Sequence, residues 1–147
     1  CGCGRRGCWE AYASATALIR DTKRAMEKHP ESLMNEIAGK EGKVTGRTAF
    51  DAMDAGDKTA KALVSRYIRY VGEGLVNIGN YIRPEIIFMG GGIINQGDWF
   101  IKRLQAYVTR YSYSGKRNPY IKVVKATLKN EAGILGAAAL ALKNGKN

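Results

Sequence analysis

The chain begins CGCGRRGCWE, with three cysteines in its first eight residues and none in the remaining 139. Thiolates at this C-x-C-x4-C spacing can converge on one tetrahedral ion, because the intervening glycines let the backbone wrap closely around it. Zinc is the ion that such a donor set fits best. An odd number of closely spaced cysteines argues against a disulfide scaffold, which would spread its bridges across the fold. A bridge between Cys1 and Cys3 would also have to close over a single residue. The alternative to a metal site is a group of reduced thiols. A structural zinc site wants four ligands, and the one histidine, His29, stands 21 residues beyond Cys8 beside Pro30 in a polar stretch. The set is therefore one donor short.

Glu10 directly follows the last thiol and Trp9. Its carboxylate can accept hydrogen bonds from a polar ligand, or it can serve as a first-turn acid that favours a helix N-terminus. A second candidate is FMGGGIINQGDWF, residues 88 to 100, where Gly90, Gly91 and Gly92 end an apolar run. Without Cβ atoms, this backbone can approach a flat or phosphorylated ligand closely. It is neither the dinucleotide fingerprint, whose third glycine position holds Asn95, nor a P-loop, since no Gly-Lys-Ser/Thr follows. A tight strand-to-helix turn accounts for the same residues. Residues 107 to 125 interleave tyrosines with basic side chains, as a nucleic-acid surface would; an exposed helix end, a loop and one strand face explain them as well. Asp51, Asp54 and Asp57 lack the calcium-loop pattern and read as a solvated face and a helix cap.

The elements that must position these residues follow from periodicity. Trp9, Ala13, Ala17, Leu18 and Met26 predict a helix from Trp9 to about Glu27. Residues 28 to 46 read as mostly loop around a short helix, and RTAFDAMDAG as a short helix ended by Gly56. Asp57 caps the longest helix, which runs to about Tyr81 before Pro84. Its glycines 72, 74 and 79 predict close packing against another backbone. EIIFM is a strand, DWFIKRLQAYVTRY an amphipathic helix, YIKVVKATL a second strand, and NEAGILGAAALALKN a buried final helix capped by Asn130. This is an α/β layered pattern with parallel strands flanked by helices. Two strands make a small sheet for so many helices, so the first strands are expected upstream of Cys1.

Length and composition set the frame. The 147 residues, 45% hydrophobic, suit one domain with a modest core. No run reaches the ~20 apolar residues that span a bilayer and no signal peptide is visible, so the expected location is cytoplasmic. A net charge of +11 favours anionic ligands. With a single histidine, no Ser-His-Asp or Cys-His arrangement can be drawn.

Cys1 to Glu10, then Pro84–Gly92 (PEIIFMGGG), then EAGILGAAALA together resemble the C-terminal half of the ROK family of bacterial sugar kinases and sugar-responsive repressors. The resemblance covers nearly the entire chain. It implies a partial RNase H-like lobe of the actin and hexokinase type, forming the later part of the second of two lobes. It implies that Cys1, Cys3 and Cys8 hold a structural zinc with an upstream histidine, that Glu10 binds sugar hydroxyls, and that Gly90, Gly91 and Gly92 lie against the adenosine of ATP. The catalytic aspartate and the phosphate loop would precede Cys1. The implied reaction is Mg²⁺-assisted phosphoryl transfer from ATP to a hexose in the intact protein, with this chain alone inactive. The same resemblance implies a homo-oligomer and gives no reason to expect nucleic acid or membrane as partner. The alternative within the family is the sugar-sensing part of a repressor.

Overall fold

The computed structural model describes residues 1–113, 115, 121–127 and 131–144. Its longest element is a 25-residue helix, and the other elements are arranged around it. The expected first helix is two: α1, Glu10–Ala13, and α2, Ala15–Lys28. Ser14 breaks them apart. Its backbone is extended (ψ 164°) and its hydroxyl accepts the Ala17 N–H at 3.0 Å, so a serine inside the apolar stripe acts as the cap of α2. In the stretch read as mostly loop, α3 occupies Leu33–Glu41, started by a Ser32 cap and stopped by Gly42 at φ 66°. The short helix α4, Thr48–Asp54, leads to α5, Lys58–Ile82, which Asp57 caps and Pro84 follows.

β1, Ile86–Met89, and β2, Lys122–Lys125, pair in parallel with Ile86 opposite Lys122 and Met89 opposite Lys125. Between them, α6, Asp98–Tyr111, supplies the crossover. Gln105 on α6 finishes the free side of β2. Its amide donates to the Ile121 carbonyl at 3.0 Å and accepts from the Val123 N–H at 2.7 Å. The core lies between α5 and its neighbours, with Phe50, Met34, Leu75, Phe100 and Leu104 all but fully buried. Phe50 and Phe100 meet edge to face at 6.0 Å.

Two expectations are corrected. The final helix α7, Ala132–Asn144, is exposed along its described side chains, with Ile134 74% and Leu142 72% accessible. Small residues mark a helix that can be closely covered, and among the described residues nothing covers it; the expected Asn130 cap lies outside them. The glycines of α5 receive side chains rather than a backbone: Gly72 lies under the Tyr107 ring, Gly74 under the Trp9 indole and Gly79 against Ile121. Phe88 on β1, 67% accessible, leaves the sheet with an apolar outer face.

Candidate functional site

The first seven residues form a loop made by glycine. Gly4 and Gly7 hold φ of 74° and 76°, and the Gly4 N–H donates to the Cys1 carbonyl at 3.3 Å. These turns bring the three Sγ atoms together, all within 4.8 Å of one another. Cys1 and Cys3 stand 2.8 Å apart, and Cys3 and Cys8 3.5 Å. Ligands ~2.3 Å from a tetrahedral zinc lie somewhat under 4 Å from each other; the Cys3–Cys8 separation is close to that, and Cys1 and Cys3 would part by about 1 Å to take two corners of such a site. Hydrogen bonding from the Arg5 backbone, then from the Cys8 thiol, holds Cys3 below its ordinary thiol value. That favours the thiolate, the form that binds metal. Among the described residues no fourth donor joins them. His29 is engaged elsewhere, with Nδ1 3.1 Å from Glu31 Oε1.

Trp9 locks this loop to the core. Its indole N–H donates to the Tyr70 carbonyl of α5 at 2.8 Å, and its ring lies across Gly74, where any Cβ would collide with it. The apolar stripe gave Trp9 only a share in a helix face. Its pairing with a glycine 65 positions later is a tertiary feature that periodicity cannot show. Tyr67 adds a second tie, its phenol donating to the Ala13 carbonyl at 2.8 Å. Glu10 opens α1 directly after Trp9. It is exposed and makes no side-chain hydrogen bond or ion pair among the described residues. Its carboxylate therefore projects from an anchored position with its acceptor capacity unspent. Gly7, Trp9, Tyr12, Tyr70, Glu73 and Asn77 line a cleft of about 420 Å³, whose lining does not include Glu10.

The glycine loop stands elsewhere, at the junction of β1 and α6. Gly91 requires its φ of 89°, and Gly92 starts a 3₁₀ turn that ends at Gln96, pinned by buried Ile94. A Cβ at Gly90, Gly91 or Gly92 would meet nothing within 4 Å. Internal packing thus explains only Gly91, by its conformation, while the open side of the loop is what close approach of a ligand demands. The 420 Å³ cleft beside Trp9 contains none of these glycines. Of the described tyrosines in the basic stretch, packing accounts for Tyr107, while Tyr111 and Tyr113 are exposed. Tyr107 fills the space over Gly72, donates to Glu73 at 2.7 Å and stacks near Tyr111 at 4.5 Å. Ser114 and residues 116–120 of that stretch lie outside the described residues.

No helix among the described residues is long and apolar enough to cross a membrane. The chain is 35% identical to the glucokinase of Thermotoga maritima over 140 residues, 95% of this chain and 44% of that protein. It is 26% identical to the xylose repressor of Bacillus spizizenii over 144 residues, 98% of this chain and 33% of the repressor. Among solved structures, a ROK family glucokinase from Streptomyces griseus in complex with glucose and AMPPNP superposes with a TM-score of 0.79 at 31% identity, covering 95% of this chain and 46% of that one. The chain spans less than half the length of these relatives. The sequence pattern of the ROK family matches residues 1–144, and the partial α/β lobe is the one seen in its kinases: the chain belongs to the ROK family.

Proposed function

We propose that this chain is the later part of the second lobe of an ATP-dependent sugar kinase, whose intact form transfers the γ-phosphoryl of ATP to a hexose hydroxyl. Glucose is the first candidate substrate. The observation that carries the reading is the likeness, along nearly the entire chain, to glucokinases, one of them solved with glucose and AMPPNP. The unsatisfied, anchored carboxylate of Glu10 suits acceptance of hydrogen bonds from sugar hydroxyls. The open face of Gly90, Gly91 and Gly92 suits the adenosine of ATP. Cys1, Cys3 and Cys8 would hold a zinc completed by a histidine upstream. When bound, that ion ties the loop together, and Trp9 transmits the fixed geometry to Glu10. Among the described residues no group of three or more carboxylates comes together.

Phosphoryl transfer depends on positioning and on closure around the reactants, with a carboxylate accepting the hydroxyl proton. Within this chain, Glu10 orients sugar and the glycine loop orients nucleotide, and the catalytic aspartate belongs upstream of Cys1. The exposed apolar residues Phe88, Ile134 and Leu142 are what the rest of a two-lobed, homo-oligomeric cytoplasmic protein would cover. The 147-residue chain alone is expected to release no ADP in the presence of glucose and ATP. Glucose-dependent ADP release by the purified chain would overturn this placement.

The likeness to a xylose repressor favours one second reading, in which the lobe senses sugar for a DNA-binding domain. A helix-turn-helix segment in the intact protein, with DNA binding that responds to sugar and no kinase turnover, would select it.

A further inference from the structure

An open cleft of about 670 Å³ runs between α2 and α5, away from the glycine loop. Arg20, Arg24 and Lys28 rise at four-residue intervals on the α2 side, and Lys58 and Arg66 stand across from them on α5. One carboxylate, Asp21, lines the cleft. It is already held by Arg20 at 2.8 Å, with Arg24 at 3.9 Å. Lys28, Lys58 and Arg66 have no carboxylate within 4.0 Å among the described residues. Like charges facing each other across a concave surface repel, and the concavity focuses their potential, so an anion between them relieves both. Arg20 to Lys28 covers eight helical rises, about 12 Å, longer than one phosphate and suited to several in a row. At the Arg20 and Arg66 end stand Tyr12 and Tyr70, with ring centroids 5.4 Å apart and Tyr12 43% accessible. Tyr12 offers an aromatic face to a planar group, with the Tyr70 ring tilted 56° to it and the Arg69 guanidinium 5.5 Å from the Tyr70 centroid.

We infer that this cleft is a binding site for a nucleoside polyphosphate, with its phosphates along the cationic rows and its base against Tyr12 and Tyr70. The site includes neither Glu10 nor Gly90–Gly92, so it stands apart from the kinase reading. Calorimetric titration of the 147-residue chain with ATP in EDTA, with tripolyphosphate and with adenosine, at about 50 mM salt, tests it. ATP is expected to bind. Arg24→Glu with Arg66→Glu should weaken ATP at least tenfold, and the same charge change on α6, Lys102→Glu with Arg103→Glu, less than threefold. Tyr70→Leu should weaken ATP about fivefold and leave tripolyphosphate unchanged. Should the double reversal fail to fold, as judged by circular dichroism, Lys28→Gln carries the test with an expected threefold loss. No binding of ATP by the folded wild-type chain at millimolar concentration overturns the inference, as does equal weakening by the two reversal pairs. Binding abolished by Gly91→Ala yet insensitive to the α2–α5 reversals would place ATP at the glycine loop alone. That result would sink this inference and leave the kinase reading standing. Equal loss of ATP and tripolyphosphate in Tyr70→Leu would overturn the base contact.

Discussion

A helix glycine is ordinarily a weak point, and replacing it with alanine stabilises an exposed helix by about 1 kcal/mol. Four of the helical glycines, one in α3 and three in α5, should respond in graded fashion, because their surroundings differ. Gly39 in α3 has open space, so Gly39→Ala should gain that amount. At Gly79 the Cβ meets the tip of Ile121 at 2.5 Å, a flexible end that can swing, and the change should be near neutral. At Gly72 it meets the Tyr107 ring at 2.5 Å, and the ring is held by its bond to Glu73. Gly74→Ala should be the most damaging, because the new methyl overlaps the Trp9 indole and expels it. Trp9 is a little over half buried. Exposing roughly half of a ~250 Å² side chain at ~25 cal/mol per Å² costs about 3 kcal/mol. Loss of the indole bond to Tyr70 adds about 1 kcal/mol and the helix gain offsets about as much. The net of about 3 kcal/mol corresponds to a melting temperature lower by about 10 °C at this chain length. Thermal and urea unfolding followed by circular dichroism reads all four variants. If Gly74→Ala is as stabilising as Gly39→Ala, Trp9 does not sit on α5 and the anchoring of Glu10 fails with it.

Asp57 is buried and accepts from the Ser32 hydroxyl at 2.6 Å, the Leu33 N–H at 2.7 Å and the Ala60 N–H at 2.8 Å, joining the starts of α3 and α5. Asp57→Ala removes a cap and orphans buried donors, and is expected to cost about 3 kcal/mol in urea unfolding. Burial pushes this carboxyl up, but its hydrogen bonds outweigh that and hold it below its ordinary value. Its contribution is therefore present above about pH 4 and lost as pH falls below that, so the gap between wild type and Asp57→Asn should narrow between pH 5 and pH 2; a constant gap contradicts the assignment. Burial pushes the Tyr67 phenol up to about 12. The neutral form is thus favoured by folding, and its contribution is lost as pH rises from about 10 through 12. Tyr67→Phe should cost about 1 kcal/mol at pH 8 and progressively less toward pH 11, read from melting curves. Cobalt added to the chain should give sulfur-to-metal charge-transfer absorption that Cys8→Ser abolishes; an unchanged spectrum would remove the three thiols as a metal site.

The parts of the fold that local chemistry dictates were readable. Asp57, the three- and four-residue apolar steps and Pro84 define α5, and Gly91 marks a turn that its φ requires. The thiol cluster was readable too, because its donors are adjacent in sequence. The misreadings have two causes: local caps hidden by their context, and partners that lie far along the chain. Ser14 falls inside the helix expected from Trp9 to about Glu27, yet its backbone is extended and its hydroxyl caps α2. Ser32 and Gly42 carried a start and a stop for α3 that the glycine-rich context obscured. The glycines of α5 signalled close approach, yet nothing local says that the approaching groups are Tyr107, Trp9 and Ile121. The alanines of α7 signalled burial that no described residue provides.

The most direct test is glucose-dependent ADP release by the intact parent protein, wild type and Glu10→Gln, across a range of glucose concentrations and a small panel of other hexoses. Turnover by the wild type with one hexose is expected, with at least a tenfold rise in the KM for that sugar in Glu10→Gln and an unchanged KM for ATP. A folded parent that turns over no hexose, or a Glu10→Gln variant indistinguishable from wild type, would contradict the account.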